Sequence, residues 1–118
     1  MSTKKELKET YKQMKFAMGV FQIRNTLNNK IFVGSSTNLQ AMWNRQQLQL
    51  NVGSHPIPAL QQDWKEWGAD HFVYEILDEL EPQEIEVDYR KEVKLLEEMY
   101  IEELQPFDEK GYNKRKKA

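Results

Sequence analysis

The chain has 118 residues, 39% of them apolar and 31% charged, with a net charge of −2; that length makes one ordinary domain whose core needs no disulfide or metal to fold. It has no cysteine, which excludes a disulfide scaffold, a thiolate zinc site and a thiol nucleophile. No apolar run approaches the roughly 20 residues of a membrane span, so a soluble, cytoplasmic protein with no membrane partner is expected.

The charge is unevenly spread. Residues 1–74 hold nine Lys/Arg against five Asp/Glu, residues 75–103 three against twelve, and residues 104–118 five against two. A protein that grips duplex DNA by itself usually presents a stronger basic surface, because phosphate contacts supply most non-specific affinity. Any nucleic-acid binding is therefore expected to be weak, local or assisted.

In chain order, "MSTKKELKETYKQMKFAM" alternates Lys and Glu and lacks the apolar centre of a secretory signal. Leu7, Tyr11, Met14 and Met18 recur at helical spacing, which predicts an amphipathic docking helix over residues 1–18. "FQIRNTLNNKIFV" predicts a hairpin with a two-residue turn at Asn28 and Asn29, which tolerate positive φ. That register pairs Phe21 with Ser36 and puts Phe21, Ile23, Asn25, Phe32 and Gly34 on one face.

Ser36 or Thr37 is the expected cap of the next helix, whose inward side carries Leu39, Met42, Trp43 and Gln46 until "NVG" ends it. Pro58 suits the first turn of a second helix with Leu60, Trp64 and Trp67, closed by Gly68. "HFVYEIL" alternates as a third strand, and the acidic "DELEPQEIEVD" reads as an exposed link. A last helix is predicted from Tyr89 to Leu104, with an inward stripe of Tyr89, Val93, Leu96, Tyr100 and Leu104.

Glu97 leans toward that stripe, four residues after Val93 and three before Tyr100. A carboxylate there must be paired, protonated or liganded. Two readings stand: a boundary residue reaching water along its stem, or a metal-binding or catalytic glutamate. His55 and His71 are isolated and have metal-ligand spacing to nothing, which makes both structural or solvent-facing.

The segments "GVF", "FVG", "SSTNLQAMWNR", "LQQDWKEWGADHFVYEIL", "EEMYIEEL" and "GYN", in this order and spacing, resemble the GIY-YIG endonuclease superfamily, especially the nuclease domain of phage-type homing endonucleases. The resemblance runs from Gly19 to Asn113. It implies an α+β fold, with a small three-stranded antiparallel sheet flanked by helices, here extended by the N-terminal helix. The implied layout is one domain over 1–118: helix 1–18, nuclease-fold core 19–113 and basic tail 114–118. It also implies Mg²⁺- or Mn²⁺-dependent hydrolysis of a DNA phosphodiester, using two motif tyrosines, an arginine, a metal-holding glutamate and an asparagine. A phenol relays or orients a proton, a guanidinium holds a phosphate oxygen, and a carboxylate fixes the ion.

Carried across, the glutamate falls on Glu97 and the asparagine on Asn113, while the tyrosines fall on Phe21 and Phe32 and the arginine on Met42. The last three cannot do the chemistry of the residues they replace. Met42 and Glu97 are expected to approach the face of Phe21 and Phe32 from two helices. Arg45, one turn after Met42, is a substitute for the missing arginine or a surface residue flanking Trp43; Tyr100 and Tyr112 are two phenols that could be supplied from elsewhere, read instead as helix core and closing turn. In the homing enzymes a DNA-recognition domain follows the nuclease domain; this chain ends at residue 118, so sequence specificity is expected from a partner or not at all. The expected function is a catalytically impaired or inactive relative that binds nucleic acid or protein. The alternative is an active metal-dependent nuclease with a rearranged site.

Overall fold

The computed structural model describes residues 16–81 and 88–115. The expected amphipathic helix falls almost wholly on residues 1–15, outside the described residues, as does the tail over 116–118; Phe16, Ala17 and Met18 are not helical. No described helix is long and apolar enough to cross a membrane.

Strands β1 (Gly19–Asn25), β2 (Ile31–Ser36) and β3 (Phe72–Glu79) form an antiparallel sheet in the order β2-β1-β3. Helices α1 (Leu39–Val52) and α2 (Pro58–Trp67) lie between β2 and β3 in sequence, and α3 (Arg90–Leu104) follows β3. This is the α+β architecture expected, a three-stranded antiparallel sheet with three helices.

Alternation gives the sheet two faces. Phe21, Ile23, Phe32, Phe72 and Tyr74 point one way and pack with Leu39 and Leu50 of α1 and Leu60 and Trp64 of α2 into the main core. Val20, Val33 and Ser35 point the other way, toward α3, whose buried residues are Val93 and Glu97.

The hairpin differs from the expected two-residue turn. Phe21 pairs with Gly34 instead of Ser36. Asn25 is fully buried, and its Oδ1 accepts from Leu27 N–H (2.9 Å), which starts the turn early. The loop runs Thr26–Asn29, closed by Asn29 N–H to Asn25 O (2.8 Å), with Asn29 at φ 62°. A shift of two positions keeps each residue on its face, so the face assignment survives the change of register. Helix α1 is capped by Asn38, whose Oδ1 accepts from Ala41 N–H (3.1 Å), instead of by Ser36 or Thr37. The Ser36 hydroxyl is engaged earlier, accepting from Asn38 N–H (2.9 Å).

β2 is an edge strand, and an open edge recruits other chains. The segment after α3 covers it. Ile31 N–H donates to Lys110 O (3.2 Å) and Tyr112 N–H to Ile31 O (2.9 Å), around a parallel bridge between Ile31 and Gly111. A Cβ at Gly111 would lie 2.3 Å from Pro106 O and 2.5 Å from Ile31 O, so only glycine allows this approach.

Candidate functional site

β1 and β2 bring Phe21 and Phe32 together, as the face assignment requires. Phe21 is 1% exposed; its ring meets Phe32 edge-on at 6.2 Å and lies 5.1 Å from Tyr74. Its Cζ faces Gly34, where a Cβ would come within 2.6 Å. Met42 packs against this cluster from α1. Three of the carried-over positions thus converge on one face, and the surface they make is apolar. Phenyl rings and a thioether neither shuttle protons nor hold a phosphate oxygen.

A polar chain lies beside them. His55, expected to be isolated, is buried with its ring 5.9 Å from that of Phe32. Ile57 N–H donates to His55 Nδ1 (3.1 Å), so in the neutral ring Nε2 carries the proton and donates to Gln46 Oε1 (2.5 Å). Gln46 Nε2 in turn donates to Met42 Sδ (3.3 Å). The signal for this network was Gln46 itself, because a polar side chain on an inward helical stripe demands a buried partner.

Burial holds the His55 pKa below its ordinary value. The stabilisation from the neutral ring is therefore complete above about pH 6.5, the unfolded value, and is lost as pH falls through the lower folded value. Thermal melts from pH 7.5 to 5 should show a falling Tm for the wild type. His55→Gln should start lower and show a flatter slope.

Glu97 stands on the other side of β2. Ser35 alternates with Gly34 and Phe32, so it faces away from them, and its Oγ donates to Glu97 Oε1 (3.0 Å). The expectation that Glu97 joins the face of Phe21, Phe32 and Met42 is thereby corrected. The reason is that α3 packs on the sheet face carrying Val33 and Ser35, while α1 covers the opposite one. Lys94 Nζ donates to Glu97 Oε2 at 2.6 Å. The boundary reading of Glu97 gives way to a buried, doubly hydrogen-bonded carboxylate.

Asn113 lies along the outer edge of β2. Its Oδ1 accepts from Val33 N–H (2.8 Å) and its Nδ2 donates to Val33 O (2.9 Å), so the side-chain amide copies a peptide group of a neighbouring strand. Asn113→Ala leaves the Val33 amide without either bond. It should cost about 1–3 kcal/mol in a urea titration.

The carried-over positions thus surround β2: Phe21, Phe32 and Met42 on one face, Glu97 on the other, and Asn113 at the edge. Arg45 is exposed on α1 with no partner among the described residues. Tyr74, whose ring lies 5.1 Å from Phe21, donates its OH to Leu39 O (2.7 Å), and the two phenols weighed from the sequence are engaged elsewhere. Tyr100 OH donates to Asp78 Oδ2 (2.9 Å). Tyr112 OH donates to Asp63 Oδ2 (2.7 Å) and accepts from Asn25 Nδ2 (3.1 Å), and burial with the Asp63 bond pushes its pKa up to about 12. His71 is half-buried at the start of β3, where its carbonyl accepts from Thr26 N–H (2.8 Å).

A resident divalent ion does not fit these donors as they stand. Glu97 brings one carboxylate, and Ser35 and Lys94 already engage its two oxygens. Among the described residues no group of three or more His, Cys, Asp or Glu side chains is placed to hold a metal ion.

No family model matches the chain. Intron-associated endonuclease 1 of Enterobacteria phage T4 is 39% identical to it over 62 residues, which are 52% of this chain and 25% of that protein. The chain thus matches about a quarter of the length of this curated relative. The solved catalytic domain of homing endonuclease I-TevI superposes with a TM-score of 0.70 at 33% identity, over 84% of this chain and 99% of that one. A mutant of the I-TevI catalytic domain gives 0.69 and 32%, over 83% and 93%. Identity of this level across essentially the whole of a catalytic domain, on the same three-stranded scaffold with its two motif strands, places the chain in the GIY-YIG endonuclease superfamily.

Proposed function

We propose that this domain is a GIY-YIG nuclease scaffold that has lost phosphodiester hydrolysis and keeps weak nucleic-acid binding, with Glu97 at the superfamily's metal-holding position. The observation that carries this is the apolar cluster of buried Phe21 with half-buried Phe32 and Met42, whose polar neighbours His55 and Gln46 are engaged with each other. One missing acid–base group typically costs about 10²–10⁴ in rate and one missing charge-stabilising group about 10²–10³. Such losses do not multiply simply, yet one alone leaves little activity.

Binding finds support at the β2 edge. Lys30, whose Nζ lies 5.7 Å from the centre of the Tyr112 ring, is joined there by Lys110 and Lys114 from the covering segment. Arg115 is drawn off by Asp108 (3.0 Å). The excess of nine negative charges over residues 75–103 works against a strong grip.

The test is cleavage of single-stranded, nicked, branched and duplex DNA with Mg²⁺ or Mn²⁺, using Glu97→Ala as control, beside a salt titration of binding. The expected result is no metal-dependent cleavage above the control. Binding should be detectable at low salt with a log–log slope of magnitude about two to three, from roughly three phosphate contacts. Absence of binding at low salt would redirect the reading to a protein-binding module. The competing reading, an active Mg²⁺- or Mn²⁺-dependent endonuclease with a rearranged site, draws on Arg45, exposed one turn after Met42 and without a partner among the described residues. Cleavage lost in Glu97→Ala would establish it.

A further inference from the structure

The carboxylate at the metal-holding position already has a cation, and the chain supplies it. We propose that Lys94 is a built-in counter-ion that occupies the cation position at Glu97, so that the site refuses divalent ions while the ammonium is in place. This rests on the reading of Glu97 given under Proposed function.

The Glu97 side chain is only 11% exposed, and a carboxylate withdrawn from water needs an opposite charge as well as hydrogen bonds. Ser35 Oγ gives Oε1 a hydrogen bond but no charge. Lys94 gives Oε2 both, at 2.6 Å, from three residues earlier on the same helix. The ammonium is therefore tethered beside its partner, and a dissolved ion competes against an intramolecular contact. Lys94 is itself 61% exposed, so the ammonium that holds the carboxylate stands in contact with the solvent from which an ion would arrive.

Mg²⁺ and Mn²⁺ have little to gain in exchange. A hard divalent ion held by one carboxylate keeps most of its waters and depends on further oxygen ligands, and no group of three metal-ligating side chains is present among the described residues. The acidic stretch around α3 would otherwise draw cations in. Refusal at this particular carboxylate thus needs a local device, and the ion pair is one.

The experiment titrates Mn²⁺ into the full chain and follows the free-ion signal by electron paramagnetic resonance. It uses the wild type, Lys94→Met, Lys94→Arg, Glu97→Gln and the Lys94→Met/Glu97→Gln pair, with circular dichroism melts to confirm that each is folded. Lys94→Met keeps the length of the stem and removes the charge. It should gain a saturable site at least about tenfold tighter than any in the wild type, a small part of what removing one contact charge at a partly solvated site allows. Lys94→Arg should behave as the wild type, and the gain should vanish in the double variant. Three results would each overturn the proposal: no gain in Lys94→Met, a gain that survives Glu97→Gln, or a wild type that already binds Mn²⁺ through Glu97. DNA cleavage by the wild type would sink the proposed function and leave this titration to be judged separately.

Discussion

Phe21→Ala should destabilise the fold by about 3–5 kcal/mol, the usual loss when a buried phenylalanine is cut back. A domain of this size has only about 5–15 kcal/mol in total, so the variant should unfold at a much lower urea concentration with an unchanged slope. The ring at position 21 touches Phe32 and Tyr74 and faces the bare main chain of Gly34, so its removal leaves a cavity that no single neighbour can fill. Phe21→Tyr keeps that packing and adds a hydroxyl at the atom facing Gly34. Its cost should be distinctly smaller, and the contrast between the two variants separates loss of core from change of polarity.

Restoring the missing groups should have the largest effect on activity. Made in a Lys94→Met background, which frees the Glu97 carboxylate for an ion, the combined Phe21→Tyr, Phe32→Tyr and Met42→Arg variant should raise Mg²⁺- or Mn²⁺-dependent cleavage by about 10² or more over that background, the scale of one recovered acid–base or charge-stabilising group. Full recovery is not expected. The new arginine takes away the sulfur that receives the Gln46 amide, and through Gln46 it disturbs His55. Single-turnover assays on the four DNA forms measure the gain. A folded but inactive triple variant would place the loss beyond these three positions.

What the residues disclosed in advance follows from how local each relation is. That Phe21 and Phe32 share a face needed only the parity of two strands and some turn between them, and parity tolerated the two-position shift that the buried Asn25 imposed. That Glu97 leans toward the buried stripe came from its spacing to Val93 and Tyr100 on one helix, which left open whether its carboxylate reaches water. Which side of the sheet receives that helix is a long-range relation, and helical periodicity carries no trace of it. The Gln46–His55 pair is likewise joined across the turn from α1 to α2. Asn113 was located by resemblance, but its two bonds to Val33 connect residues 80 positions apart in the chain.

That separation bears on how the domain is made. Nascent chains emerge in order, so β1 and β2 can pair and α1 can settle on them while later residues are still being added. The outer rim of β2 meets its cover only when residues 110–113 have left the ribosome. Until then Ile31 and Val33 present unpaired amides beside a ring-rich apolar face, the kind of surface that captures a neighbouring chain on a polysome. Translation that stalls between α3 and Gly111 should therefore yield a product with nearly all its secondary structure and a strong tendency to associate, and a short C-terminal truncation should harm solubility more than the few contacts it removes would indicate.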